Sequence, residues 1–82
     1  AGAADVSVSE LDRVVLTRDV PAAGLAAGDV GVVVHVFADG EAVELEVFSL
    51  TGATLAVETV PADALRPVGA RDVVSARALA AE

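Results

Sequence analysis

With 82 residues, no cysteine and a formal net charge of −8, the chain has room for one small domain and excludes a disulfide staple, a thiolate metal site and a cysteine nucleophile. Tryptophan and tyrosine are absent and phenylalanine occurs twice, so the core must be aliphatic, with no base-stacking platform and no aromatic groove for proline-rich peptides. Residues 19–65 carry eight acidic residues and no Lys or Arg, while residues 1–18 net −1 and residues 66–82 net +1, a distribution that disfavours nucleic acid and anionic membranes and favours a basic protein partner.

Residues 1–9 are small, polar and aperiodic and read as a flexible lead-in. Ala1–Asp5 has neither a basic nor an apolar region, so no signal peptide is expected. Together with the missing cysteine, this gives the expectation of a cytoplasmic protein. No apolar run approaches the roughly 20 residues that cross a bilayer. The domain is expected over residues 10–68.

Arg13–Thr17 is the first predicted strand, ended near Val20 by Pro21, which has no N–H for a ladder and restricts the residue before it. Pro21 to Asp29 is too short and too broken by glycine for a helix. It reads as a loop folded back over the sheet, anchored by Leu25. Gly24 and Gly28 are candidates for positive φ, and the Asp29 carboxylate is expected to accept a nearby backbone N–H.

The longest apolar run follows, from Val30 to Ala38. Its β-branched residues predict a central strand buried on both faces, with Gly31 marking a bulge or a close backbone approach. Asp39-Gly40 predicts a hairpin turn. Ala42 to Phe48 alternates cleanly, with Val43, Leu45 and Val47 on one side and Glu44 and Glu46 on the other. After a turn at Ser49–Gly52, Thr54–Val60 is the fourth strand, with Leu55 and Val57 as expected core positions. Pro61–Leu65 reads as a 3₁₀ turn, and Arg66–Val68 as a short fifth strand closing on the first. Beyond Gly69 the chain is rich in Ala, Leu and Arg, has no breaker, and places Val73, Val74, Arg77, Ala78 and Ala81 at helical spacing. A helical tail over residues 69–82 is expected, although a dozen isolated residues make a marginal helix. The fold class is therefore all-β: a small five-stranded SH3-like barrel, whose closure would remove sheet edges, with a short C-terminal helical tail.

Leu11-Asp12-Arg13-Val14-Val15-Leu16-Thr17, then Gly24-Leu25, then Gly28-Asp29-Val30-Gly31-Val32-Val33-Val34 resemble a small bacterial family, domain of unknown function 4926. The resemblance continues through Asp39-Gly40 and Glu44–Phe48 to Ala62-Asp63-Ala64-Leu65-Arg66-Pro67-Val68 and covers about residues 10–68. It implies an SH3-like barrel similar to that of nitrile hydratase β-type subunits. It implies no assigned activity, and it suggests a small protein paired with a neighbouring gene in a toxin–antitoxin-like arrangement. The tail lies outside the pattern.

No catalytic set stands out. His35 is the only histidine and lacks the partners of a nucleophile–base pair or a metal site; it reads as a structural or partly exposed strand residue. Ser7 and Ser9 lie in the lead-in rather than on a strained elbow. Gly28, Asp29 and Gly31 fit no phosphate-binding spacing and no Lys accompanies them, so they read as turn chemistry. Glu44, Glu46 and Glu58 are expected to share the outer face of adjacent strands, as a solvated face or as a surface for a basic partner. No metal or cofactor is expected. The candidate partner-contacting residues are Glu44, Glu46, Glu58, Leu25, Val74 and Leu79.

Two functions follow. One is a non-enzymatic acidic module that docks on or regulates a protein partner, in an antitoxin-like manner. The other is an accessory subunit of an enzyme complex, or a homo-oligomer, with the C-terminal helix as the assembly element.

Overall fold

The computed structural model describes residues 8–79. Five strands follow in chain order: β1 (Arg13–Leu16), β2 (Val30–Val36), β3 (Ala42–Phe48), β4 (Thr54–Pro61) and β5 (Leu65–Pro67). They form one open antiparallel sheet in the order β4-β3-β2-β1-β5, so β4 and β5 are its edges. The all-β expectation holds. β3 has the bounds its alternation predicts, with Val43, Leu45 and Val47 buried. β5 pairs with β1, Leu16 lying opposite Leu65. The core is aliphatic: Val14, Leu16, Leu25, Val33, Val43, Leu45 and Val60 pack together with Ala64 and Leu65.

The loop between β1 and β2 does what its residues dictate. Pro21–Ala23 make one 3₁₀ turn that ends on Gly24 at φ +71°. The Val20 and Leu25 backbones bond each other, at 2.9 and 3.2 Å, and the resulting small hairpin drops the Leu25 side chain into the core. Gly28 adopts φ +92°. The Asp29 carboxylate accepts the Ala26 N–H at 2.9 Å. At the next hairpin Gly40 has φ +73° and Asp39 accepts the Glu41 N–H at 2.9 Å. Before β1, the backbones of Leu11 and Asp12 bond to Val33.

Two expectations fail on the faces of strands. β2 is not buried on both faces: Val32, Val34 and Val36 are half-buried, and Val30 and His35 are exposed. The strand with consecutive buried residues is β1, at Val14, Val15 and Leu16. Gly31 marks the close approach rather than the bulge. A Cβ there would lie 2.7 Å from Leu45 Cγ and 2.8 Å from the Glu46 carbonyl oxygen. The bulge falls later, where Val33 faces Leu45 but His35 faces Glu44. The extra residue, Val34, reverses the parity, so His35 stands on the outer face with Glu44 while Val33 points inward. There its ring meets Phe37 edge-on, with centroids 4.9 Å apart.

Leu55 and Val57 are not core residues; each is half exposed. The register sets Val60 opposite Val43, Glu58 opposite Leu45 and Ala56 opposite Val47. Directly opposed residues share a face, so Ala56, Glu58 and Val60 point to the inner side and Val57 and Thr59 to the outer. A second register shift, between Val47 and Phe48, leaves Leu55 without an opposite number.

The expected C-terminal helix is also absent among the described residues. Residues 72–79 have no regular structure and run as a strap across the ends of the strands. Alanine-rich propensity over so few residues is a weak force. The five residue steps from Asp72 to Arg77 span about 17 Å when extended, against about 8 Å in a helix. The extended path carries Arg77 to a buried-edge carboxylate. Ala81 and the rest of 80–82 lie outside the described residues, as does the lead-in 1–7.

Candidate functional site

Two Arg–carboxylate pairs hold the strap. Arg66, on β5, donates to both oxygens of Asp72 at 2.8 and 2.7 Å, and the Gly69 N–H reaches the same carboxylate. Arg77 donates from Nε and from a terminal nitrogen to the two oxygens of Asp29, at 2.9 and 2.6 Å, and also meets the Gly24 carbonyl oxygen at 3.4 Å. Beyond the second pair, Leu79 packs against the core. Asp29 thus closes its own loop through Ala26 and fastens a segment 48 residues away.

The hydrogen bonds from Arg66, reinforced by the Gly69 N–H, hold the Asp72 carboxyl far below its ordinary value of 3.8. Those from Arg77, aided by the Ala26 N–H and opposed by partial burial, lower Asp29 as well. A carboxylate whose pKa is depressed stabilises the attached strap at any pH above its free value. It loses that contribution as the pH falls through the depressed one. The strap is therefore expected to stay docked above about pH 4 and to release progressively below it. Backbone heteronuclear NOEs measured by NMR check this. Those of residues 72–79 are expected to fall at low pH before those of β3, and Arg77→Ala is expected to produce the same fall at neutral pH. NOEs unchanged in that variant would show that the ion pair does not hold the strap.

Between the strap and the sheet ends lies an open groove of about 980 Å³. Leu11 and Val57 aside, every exposed large apolar side chain among the described residues lines it: Val30, Phe48, Leu50, Leu55, Val68, Val73 and Val74. Converging exposed apolar side chains of this kind mark an interaction surface more often than a solvent-facing one. Arg13, Asp29, Asp72 and Arg77 supply its charged lining.

The structure brings together some of the candidate residues and separates others. Glu44 and Glu46 share the outer face of β3, half-buried, where Glu46 accepts the Thr54 hydroxyl at 2.5 Å. Glu58 does not join them, because its register with Leu45 turns it to the opposite side of the sheet. Leu25 is sealed in the core and has no surface to offer a partner. Val74 is exposed on the strap and Leu79 half-buried beneath it, and both border the groove. Glu44, Glu46 and Glu58 take part in no ion pair among the described residues. Nor do three or more His, Asp or Glu side chains gather there in a metal-holding group.

The groove and its two pins were not legible in the sequence. The available signal was charge: three of the five arginines lie beyond residue 65, next to a stretch of 47 residues that has acids and no base. Long-range pairing between the two was implied by that imbalance, although the partners were not.

A family model described as domain of unknown function, DUF4926, matches residues 10–67. No curated protein and no solved structure matches the chain. The matched span runs from the turn before β1 to the end of β5 and stops short of the strap. On that match, which takes in the whole sheet and the Asp29 loop, the chain belongs to the DUF4926 family.

Proposed function

We propose that the protein is a non-enzymatic acidic module that binds and regulates a basic protein partner. The observation that carries this reading is the convergence of exposed apolar side chains on one groove, in a molecule whose residues 19–65 hold acids and no compensating base. Apolar contact supplies affinity, and the negative field draws a cationic surface and repels polyanions. Nucleic acid and anionic membranes are accordingly poor partners. An SH3-like barrel is the reading of the sheet favoured by its strand order, by the pairing of β5 with β1 and by the 3₁₀ turn before β5. An antitoxin-like pairing is the setting suggested by the family resemblance, and a reducing cytoplasm is the compartment suggested by the cysteine-free composition. The strap is engaged on its own sheet, so assembly through a C-terminal helix is not the reading adopted.

Tagged protein recovered from its native cytosol is expected to retain a basic protein in stoichiometric amount, and to lose it in 0.5 M salt. A Glu44→Lys/Glu46→Lys variant tests the acidic face, and Leu50→Asp the groove; each is expected to weaken retention at least tenfold. Recovery of free monomer alone, at low and high salt, overturns the proposal.

A further inference from the structure

The sheet has two edges of unequal character. β5 is three residues long and contains Arg66 and Pro67, features that blunt an edge. β4 is eight residues long, Thr-Leu-Ala-Val-Glu-Thr-Val-Pro, with no Lys or Arg. Along it Leu55, Val57 and Thr59 are all exposed. Its outer face therefore carries apolar and β-branched side chains where an alternating strand ordinarily carries polar ones.

The hydrogen-bond phase of that edge follows from one contact. Ala62 N–H donates to the Glu41 carbonyl at 2.9 Å. Bonded and non-bonded pairs alternate in an antiparallel ladder. Counting back in twos, the pairs Val43–Val60, Leu45–Glu58 and Val47–Ala56 exchange hydrogen bonds, whereas Glu44–Thr59 and Glu46–Val57 do not. The backbone N–H and C=O of Val57 and Thr59 thus point away from β3. Among the described residues no other backbone or side chain bonds to them. Pro61 occupies the next position of the same phase, where a missing N–H costs the sheet nothing.

We infer that the β4 edge accepts an added antiparallel strand, an extended segment of a protein partner alternating apolar and basic residues, bonded to the Val57 and Thr59 backbones. This rests on the acidic-module reading and adds the location and the form of the ligand. Charge selects the occupant. Glu46 lies directly opposite Val57 and Glu44 directly opposite Thr59 on the outer face, and neither carboxylate is ion-paired. An added strand lies about 4.8 Å beyond β4. From there a Lys or Arg side chain reaches across the short Val57 or Thr59 toward those carboxylates. A second copy of this chain would bring the same unbalanced acids to the same edge and be repelled. Such an edge contact buries little area, so an affinity on the order of tens of micromolar is expected at low salt.

The test uses a ten-residue peptide alternating Lys and Val, titrated into the full chain at low salt by calorimetry and by amide NMR. Binding is expected, with new exchange protection at the Val57 and Thr59 amides, and binding at least tenfold weaker for the Glu/Val analogue. The same peptide N-methylated on alternate residues is expected to bind at least tenfold more weakly, a control that leaves the protein untouched. Val57→Pro should match that loss while keeping the wild-type spectrum elsewhere, because its N–H is not used by the sheet. Binding that survives N-methylation and protects residues of the groove instead would overturn the edge site and leave the acidic module standing. No binding of the Lys/Val peptide, or a dimer protected at Val57 and Thr59 without peptide, would also overturn it. A native partner retained equally by wild type and Val57→Pro would have the same force.

Discussion

Gly31→Ala is expected to destabilise the fold by about 2–3 kcal/mol, through overpacking at a site that cannot yield. The added methyl would stand 2.7 Å from Leu45 Cγ and 2.8 Å from the Glu46 carbonyl oxygen. Leu45 is wholly buried, and the Glu46 carbonyl belongs to the backbone of β3, the strand between β2 and β4. A domain of this size holds about 5–10 kcal/mol in all, so the loss is a large fraction of its stability. Urea unfolding followed by far-UV circular dichroism measures it, the chain having no tryptophan to report. The second substitution Leu45→Ala separates the two clashes. Removing the isobutyl group relieves the contact with the side chain but not the one with the carbonyl. The double variant should therefore be more stable than the sum of the single losses predicts, without returning to the stability of Leu45→Ala alone. Strict additivity would mean that β2 simply moves away from β3 and that the close approach has no structural role.

Leu25→Ala is the second large effect, about 3 kcal/mol of lost stability, with a fall in Tm of more than about 10 °C. Leu25 belongs to the core cluster with Leu16, Val33 and Leu65, and the Val20–Leu25 hairpin gives its side chain no other place to go. A surface residue used for docking would behave otherwise: truncation would weaken partner retention and leave the melting curve in place. Val74→Ala, on the exposed strap, supplies that contrast, since exposed positions away from special features change stability by within about 0.5 kcal/mol. Thermal melts of the two variants, set beside their partner retention, distinguish a core anchor from a contact residue. A Leu25→Ala protein as stable as wild type would refute its burial.

The parts of the fold legible in the sequence were those governed by neighbours in the chain. Asp39-Gly40 and the glycines at 24 and 28 specify backbone shapes that few other residues tolerate; Gly24 and Gly28 adopt the expected positive φ, and Gly40 does so in the expected hairpin turn. The Asp29 carboxylate bonds a backbone N–H three residues away, well within the reach of a local rule. β3 alternates strictly, and a strand paired on both sides has no freedom to present its valines anywhere but inward. Leu11 shows where local rules stop. It sits at φ +73° in the turn before β1, a geometry for which leucine gives no signal.

The candidate site was legible only in its chemistry. Its acidic character and the candidacy of Glu44, Glu46 and Val74 came from composition and pattern. The side of the sheet taken by Glu58, the burial of Leu25 as an anchor rather than a contact, and the groove itself depend on which strands meet and in what register.

What the sequence by itself determined is an acidic, aliphatic, all-β chain with its turns and loop anchor in place, because turn chemistry, strand alternation and charge are properties of residues and their immediate neighbours. Only the tertiary structure decided where each face points. One extra residue at Val34 turns His35 outward, one register against β3 exposes Leu55 and Val57, and two Arg–carboxylate pairs, Arg66–Asp72 and Arg77–Asp29, draw a would-be helix out into a strap. A single-residue shift reverses every side chain downstream of it, and a distant ion pair outweighs a dozen residues of weak helical preference. Neither quantity is encoded within a short window of sequence.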